Sequence, residues 1–438
     1  MLFFSNFFSS ISTKEDIENP KIQFGKYSDR NKTSEQLEHW KHSVQLFENQ
    51  EYLDAFEEFF KYLKDSKIEN VKYTRELEQI KFEFFQGSKV IKGYVNKNEI
   101  SAVSEIVQFE KPNVAVMKRL LTENYFLWFS KFTKKDNVFR LEYYSPIKNA
   151  EPESVYFSLQ ELANEADSFD DILVDEFPFL KPINIGKVEK LSEQELSVKL
   201  KFLKQIINQT IKSVESLSVS SFKGAISFSL LNLTYKIYYL FAPEGTLLDE
   251  LKDIQLLFWT KKDLTDEQKN KKMILELKKI ALKSDEEISK SLYKVTSTFP
   301  VVKPTDYNKI MKFVKAEIEK IHWYRENKYF DVHQAICEYV VGYCSFSYGM
   351  APVINDLFQV FWKVTNYQYY KELGFLDEFV KKGKLNSHNI VKRINKIISS
   401  NRESYPKLVF NIRGLNFSST HEFASSFLYE FINCDFSQ

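Results

Sequence analysis

Four side chains in the last third of the chain could in principle hold a metal: His322, His333, Cys337 and Cys344. His333 and Cys337 stand four apart, so on a helix they share a face, and imidazole nitrogen and thiolate are the donors zinc prefers. The same stretch carries Ala335, Ile336, Val340 and Val341, and cysteine in so apolar a segment is ordinarily a buried core residue. No loop-borne Cys or His pair completes a zinc knuckle. His39 and His42 are three apart, but Leu37, Trp40, Val44 and Phe47 claim the buried face of their segment. His421–Glu422 opens an H-E-x-x-H pattern that fails at Ser425. Glycine is scarce: 11 residues in 438, where average usage would give about 30. With no G-x-G, no P-loop and no G-x-S-x-G, the nucleotide-binding and nucleophile-elbow motifs are missing. The expectation is therefore no catalytic residue, no cofactor and no metal.

Charge offers more. Lys+Arg is 61 and Asp+Glu is 60, a formal net charge of +1, yet the charges are segregated. Residues 151–180 hold nine acids and no Lys or Arg, whereas residues 371–413 hold ten bases and four acids. The acidic run avoids the spacing of a calcium loop. Glu165, Asp170, Asp171 and Asp175 on one side, and Lys382, Lys392, Arg393 and Lys396 on the other, are the charged candidates for partner contact. The basic stretch could alternatively meet nucleic-acid phosphates, although no nucleic-acid motif accompanies it. Aromatics make up 16% of the chain, with 40 Phe and 24 Tyr, so some should reach the surface. At the start, Phe3, Phe4, Phe7 and Phe8, with Ile11, form a helical stripe. That stripe either docks on a membrane surface or protein groove or packs back on its own body. No run approaches the ~20 apolar residues of a membrane span. Three cysteines without a C-x-x-C point to a reducing compartment, the cytoplasm.

The elements that position these groups begin at capping boxes: Thr33 with Gln36, Ser192 with Glu195, Thr265 with Gln268, and Ser284 with Glu287. Residues 1–33 read as the aromatic segment and a polar linker. From 34 two helical stripes follow, then alternation over 77–110 that predicts a three-stranded antiparallel meander. Val114, Met117, Leu120 and Leu121 supply a helix face. Strands are expected around Phe126–Phe132 and Val138–Tyr144, and a long helix after Pro152. The fold class is α+β, with an N-terminal α-β3-α-β2-α domain at 34–180, a mainly helical middle domain at 190–300 and a helix-rich C-terminal domain at 301–438. The segment 222–241 fits a hairpin or a buried helix. A boundary is expected at Phe299–Pro304, a strand at Lys407–Arg413 and a closing helix at Glu422–Cys434.

The element order over 34–180 resembles the YbjN-like and type III secretion chaperone-like family. Residues 117–147 and 156–177 look like its middle helix, strand pair and closing helix. The resemblance implies a non-enzymatic, often dimeric protein that holds or regulates other proteins, with no catalytic residues to carry over. The expected function is thus non-catalytic protein binding, as chaperone, adaptor or regulator, through a protein partner or self-association. A nucleic-acid-associated protein and an enzyme with an unrecognised site are the alternatives.

Overall fold

Ile80, Phe82 and Phe84 alternate with Lys81 and Glu83, and this pattern settles as a strand because only one of its faces meets apolar neighbours. The computed structural model describes residues 20–25, 32–65, 68–183, 188–260, 263–302, 305–376 and 379–437. The aromatic stripe at Phe3, Phe4, Phe7 and Phe8 lies outside them. The sheet comprises β1 (Val71–Arg75), β2 (Gln79–Gly87), β3 (Lys89–Asn96), β4 (Glu99–Gln108), β5 (Ser130–Lys135) and β6 (Val138–Pro146). It is antiparallel, in the order β1-β2-β3-β4-β6-β5. The three strands expected over 77–110 form as β2, β3 and β4, and a fourth, β1, joins them from ahead of that range. The extra one, β1, is a five-residue edge strand with only Val71 buried, too short to show a period. Gly93 of β3 lies opposite Phe82, and a Cβ there would come within 2.4 Å of the Phe82 ring. The ring covers the gap that the glycine leaves.

Helices α1 (Ser34–Glu48) and α2 (Tyr52–Leu63) precede the sheet, α3 (Val114–Asn124) separates β4 from β5, and α4 (Pro152–Glu176) follows β6. Thr33 forms the full capping box with Gln36. One face of the sheet is covered by α2 and α4, which bury Phe56, Phe59, Phe60, Leu159, Leu162 and Phe169 against it. The opposite face carries Lys81, Glu83, Lys92, Arg140 and Glu142 and stays open to solvent.

The remainder is mainly helical: α5 (Glu193–Glu215), α6 (Val219–Phe241), α7 (Gly245–Trp259), α8 (Asp266–Leu282), α9 (Asp285–Ser289), α10 (Tyr307–Ile318), α11 (Ile321–Glu326), α12 (Phe330–Ser347), α13 (Pro352–Thr365), α14 (Tyr367–Glu372), α15 (Ser387–Ser400) and α16 (Thr420–Phe431). The ambiguous 222–241 segment is helix α6, buried almost all round, so it lacks the amphipathic period that marks a surface helix. It crosses α12 closely at Gly342, where a Cβ would stand 2.7 Å from the Tyr235 Cβ. One apolar cluster runs from Leu203 to Phe436, joining helices on both sides of residue 300.

Three local expectations change. Thr296–Ser297 pairs with Gln86–Gly87 of β2, and Phe299 is buried against Phe84 and Tyr156. Gln86 Oε1 accepts the amides of Thr298 at 3.1 Å and Phe299 at 3.0 Å. The segment read as a boundary is thus partly a strap from the helical half into the sheet half. Lys407–Arg413 is not a strand, because no neighbouring strand offers it a ladder; Leu408 and Phe410 are buried in irregular chain ahead of a single 3-10 turn. Part of the expected linker also packs: the Gly25 amide donates to Tyr239 O at 2.8 Å, and Phe24 lies 4.9 Å from the Tyr370 ring. Among the described residues no helix is long and apolar enough to cross a membrane.

Candidate docking surface

Of the charged candidates, the acidic four do not form one open face. Asp170 is buried and pairs with Lys89 at 2.9 Å, so it is withdrawn from any partner. Asp171 packs against the start of α7, where a Cβ on Gly245 would stand 2.9 Å from its Oδ2. Burial, reinforced by Asp170, pushes its carboxyl up to about 7. Glu165 is half-buried, and burial, then Glu161, raises its carboxyl as well. Only Asp175 is exposed. Helical spacing placed these acids on α4, but spacing alone does not say which flank of α4 meets the sheet and which meets α7. The basic set stays at the surface. Lys382 occupies the tight turn between Val380–Lys381 and Lys384–Leu385. On α15 Lys392 is exposed opposite the buried Ile390, Ile394 and Ile397, whereas Arg393 and Lys396 flank that face and are half-buried.

The metal candidates scatter. His322 is exposed and bonded to the Tyr429 hydroxyl at 2.7 Å. His333 is fully buried beside His421, with ring centroids 5.9 Å apart. Cys337 and Cys344 sit in the core, where burial raises both thiols well above their usual range. Among the described residues no group of three His, Cys, Asp or Glu is arranged to hold a metal ion. The Ser192 cap also departs from its box. Glu195 turns inward and pairs with buried Lys199 at 3.0 Å in place of capping the Ser192 amide.

The feature that sequence reading missed lies between β4 and β5. Asn113 caps α3 by accepting the amides of Ala115 and Val116. The apolar helix face expected at Val114, Met117, Leu120 and Leu121 is mostly an outer face: the buried residues of α3 are Val116 and Leu120. The expected strand at 126 begins only at Ser130, and the residues before it form a turn. The result is an apolar ledge in which Val114 is 81% exposed, Leu121 69%, Tyr125 85%, Phe126 65% and Trp128 88%. Phe129 and, on α4, Phe157 extend it.

This turn is tied down from beneath. The Glu161 carboxylate accepts the amides of Trp128, Phe129 and Ser130 at 2.8, 2.9 and 2.8 Å. The Asn124 side chain clamps Phe132, accepting its amide at 2.6 Å and donating to its carbonyl at 3.1 Å. The amides of Tyr125, Phe126 and Leu127 donate to Thr122 and Glu123 carbonyls. Every amide from 125 to 130 therefore has a partner inside the protein. Around the ledge Lys111, Lys118 and Lys131 are exposed and form no ion pair among the described residues. Of the neighbouring acids, Glu123 and Glu176 are held by Arg119, and Glu142 stands across the ladder from Lys131. The run Phe126–Phe129, four apolar residues without alternation, was the available sequence signal that this was no half-buried strand.

No protein-family model matches the chain, and no curated protein matches it.

Proposed function

We propose that this is a non-catalytic docking protein, of chaperone, adaptor or regulator type, and that the 114–129 ledge is its docking surface. One observation carries the reading: five large apolar side chains, each more than 60% exposed, line helix α3 and the turn that follows it, and Glu161 fixes that turn's backbone at Trp128–Ser130. Monomeric surfaces rarely gather apolar side chains this way unless a partner covers them. Fixing the turn in advance lowers the ordering cost of binding. The α+β element order, with helices on one face of an antiparallel sheet, supports the same reading by its resemblance to chaperone-like proteins.

Photo-crosslinking tests it. Tyr125→p-benzoylphenylalanine is expected to trap a partner in cells, whereas the same side chain at exposed Lys271, on α8 of the helical half, is not. Identical crosslinks from the two positions would remove the ledge as the docking surface.

A further inference from the structure

We infer that the ledge docks on the surface of an anionic lipid bilayer. This rests on the docking reading above and names its partner. The residue types are those that lie stably at a membrane interface: Trp128, Tyr125 and Phe126 at the tip, with Leu121 and Val114 behind them. Aromatic rings there sit at the headgroup boundary with their polar edges still wet.

The backbone is prepared for the same medium. An amide that leaves water without a partner is costly, so a turn entering the headgroup region must satisfy its own donors. The six amides from Tyr125 to Ser130 meet that condition through Thr122, Glu123 and Glu161. Glu161 is half-buried beneath the turn, so its charge is consumed by three donors and not presented to the bilayer.

Charge then selects the partner. Lys118 stands four residues after Val114 and three before Leu121, on the same face of α3. Lys111 precedes the helix, and Lys131 follows the turn on the outer side of β5. A second copy related by a two-fold axis would bring this basic rim against itself. An anionic lipid surface meets it with opposite charge while the ledge takes up the apolar boundary.

The experiment uses the full chain and sedimented vesicles of phosphatidylcholine, alone or with phosphatidylglycerol, and records light scattering of the protein without lipid. The unaltered protein is expected to bind the mixed vesicles at least about tenfold more tightly than the neutral ones. Bromine-labelled lipid should quench its tryptophan emission. L121S/W128S should abolish sedimentation and quenching, and K111E/K118E/K131E should erase the preference for phosphatidylglycerol. Both sets change exposed side chains, and an unchanged melting curve confirms that the variants are folded. Vesicle binding that survives L121S/W128S but disappears on deleting residues 1–12 would overturn the inference, moving the contact to the Phe3–Phe8 stripe. No vesicle binding, together with a dimer that L121S/W128S converts to monomer, would overturn it too, yet leave the docking reading standing. No effect of the variants in any assay would sink both.

Discussion

Lys89 Nζ lies 2.9 Å from Asp170 Oδ2, with the two side chains 1% and 3% exposed. The ammonium also donates to the carbonyls of Ile106 at 3.0 Å and Ile183 at 2.9 Å, so its three donors are used. Ser88 Oγ completes the carboxylate at 2.6 Å. The pair locks β3 to α4 from inside, and it turns part of an acidic helix face into internal structure.

Breaking that lock one side at a time should be expensive. Lys89→Met leaves a buried carboxylate without its cation, which costs ~3–5 kcal/mol. The double variant Lys89→Met with Asp170→Leu removes both charges and should recover much of the loss. Urea unfolding of the two variants measures it; equal losses would show that packing, and not the stranded charge, sets the cost.

Asp171 should make the fold less stable as pH rises. Its folded value, about 7, is above the ordinary 3.8 because of burial first, then Asp170, Asp249 and Glu244, with Lys89 opposing. The folded state therefore holds the extra proton between about pH 4 and pH 7. Stability is fullest below that window and falls as pH rises through it. Asp171→Asn should raise the melting temperature at pH 8, by roughly 1–3 kcal/mol in stability, and have little effect at pH 4. A variant that gains the same amount at both pH values would place the cause outside this titration.

His333 should act in the opposite direction. Neither ring nitrogen has a hydrogen-bond partner among the described residues. Burial, with help from His421, pushes its pKa from 6.5 down to about 4. The unfolded chain takes up a proton below 6.5 and the folded chain does not, so stability is lost as pH falls from 6.5 to 4, at up to ~1.4 kcal/mol per unit. His333→Leu should flatten this acid limb while leaving the curve above pH 7 in shape. Thermal melts across pH 4–8 read both limbs together.

Glu161 should govern the order of the ledge more than the stability of the fold. Glu161→Ala frees the amides of Trp128, Phe129 and Ser130, and charge-assisted bonds of this kind contribute ~1–2 kcal/mol to local order. Hydrogen exchange at these three amides should accelerate severalfold with β2 and β3 unchanged. Unaltered exchange at 128–130 would mean that Asn124 and the helix-end bonds hold the turn without it.

The sequence by itself determined the elements whose causes are local. The hydroxyl and carboxamide at Thr33 and Gln36 mark a helix start wherever they stand, and the α1 capping box forms as read. Alternation along Ile80–Phe84 makes a strand because one flank must leave water. The mixed α+β class, with an N-terminal antiparallel sheet and a helical remainder, follows from such signals. Tertiary structure alone decided which neighbour each face meets. Helix α6 had no readable period because it is surrounded on all sides. Glu195 carries the signature of a cap, yet it answers to Lys199 once both are buried. Leu121 and Trp128 look like core residues by type, and only the placement of α4, with Glu161 pulling the turn down onto it, leaves their side chains in the open. Residue type states what a side chain would gain by burial. Whether a partner surface exists to bury it against depends on chain segments far away in sequence, and that is settled only when the layers are assembled.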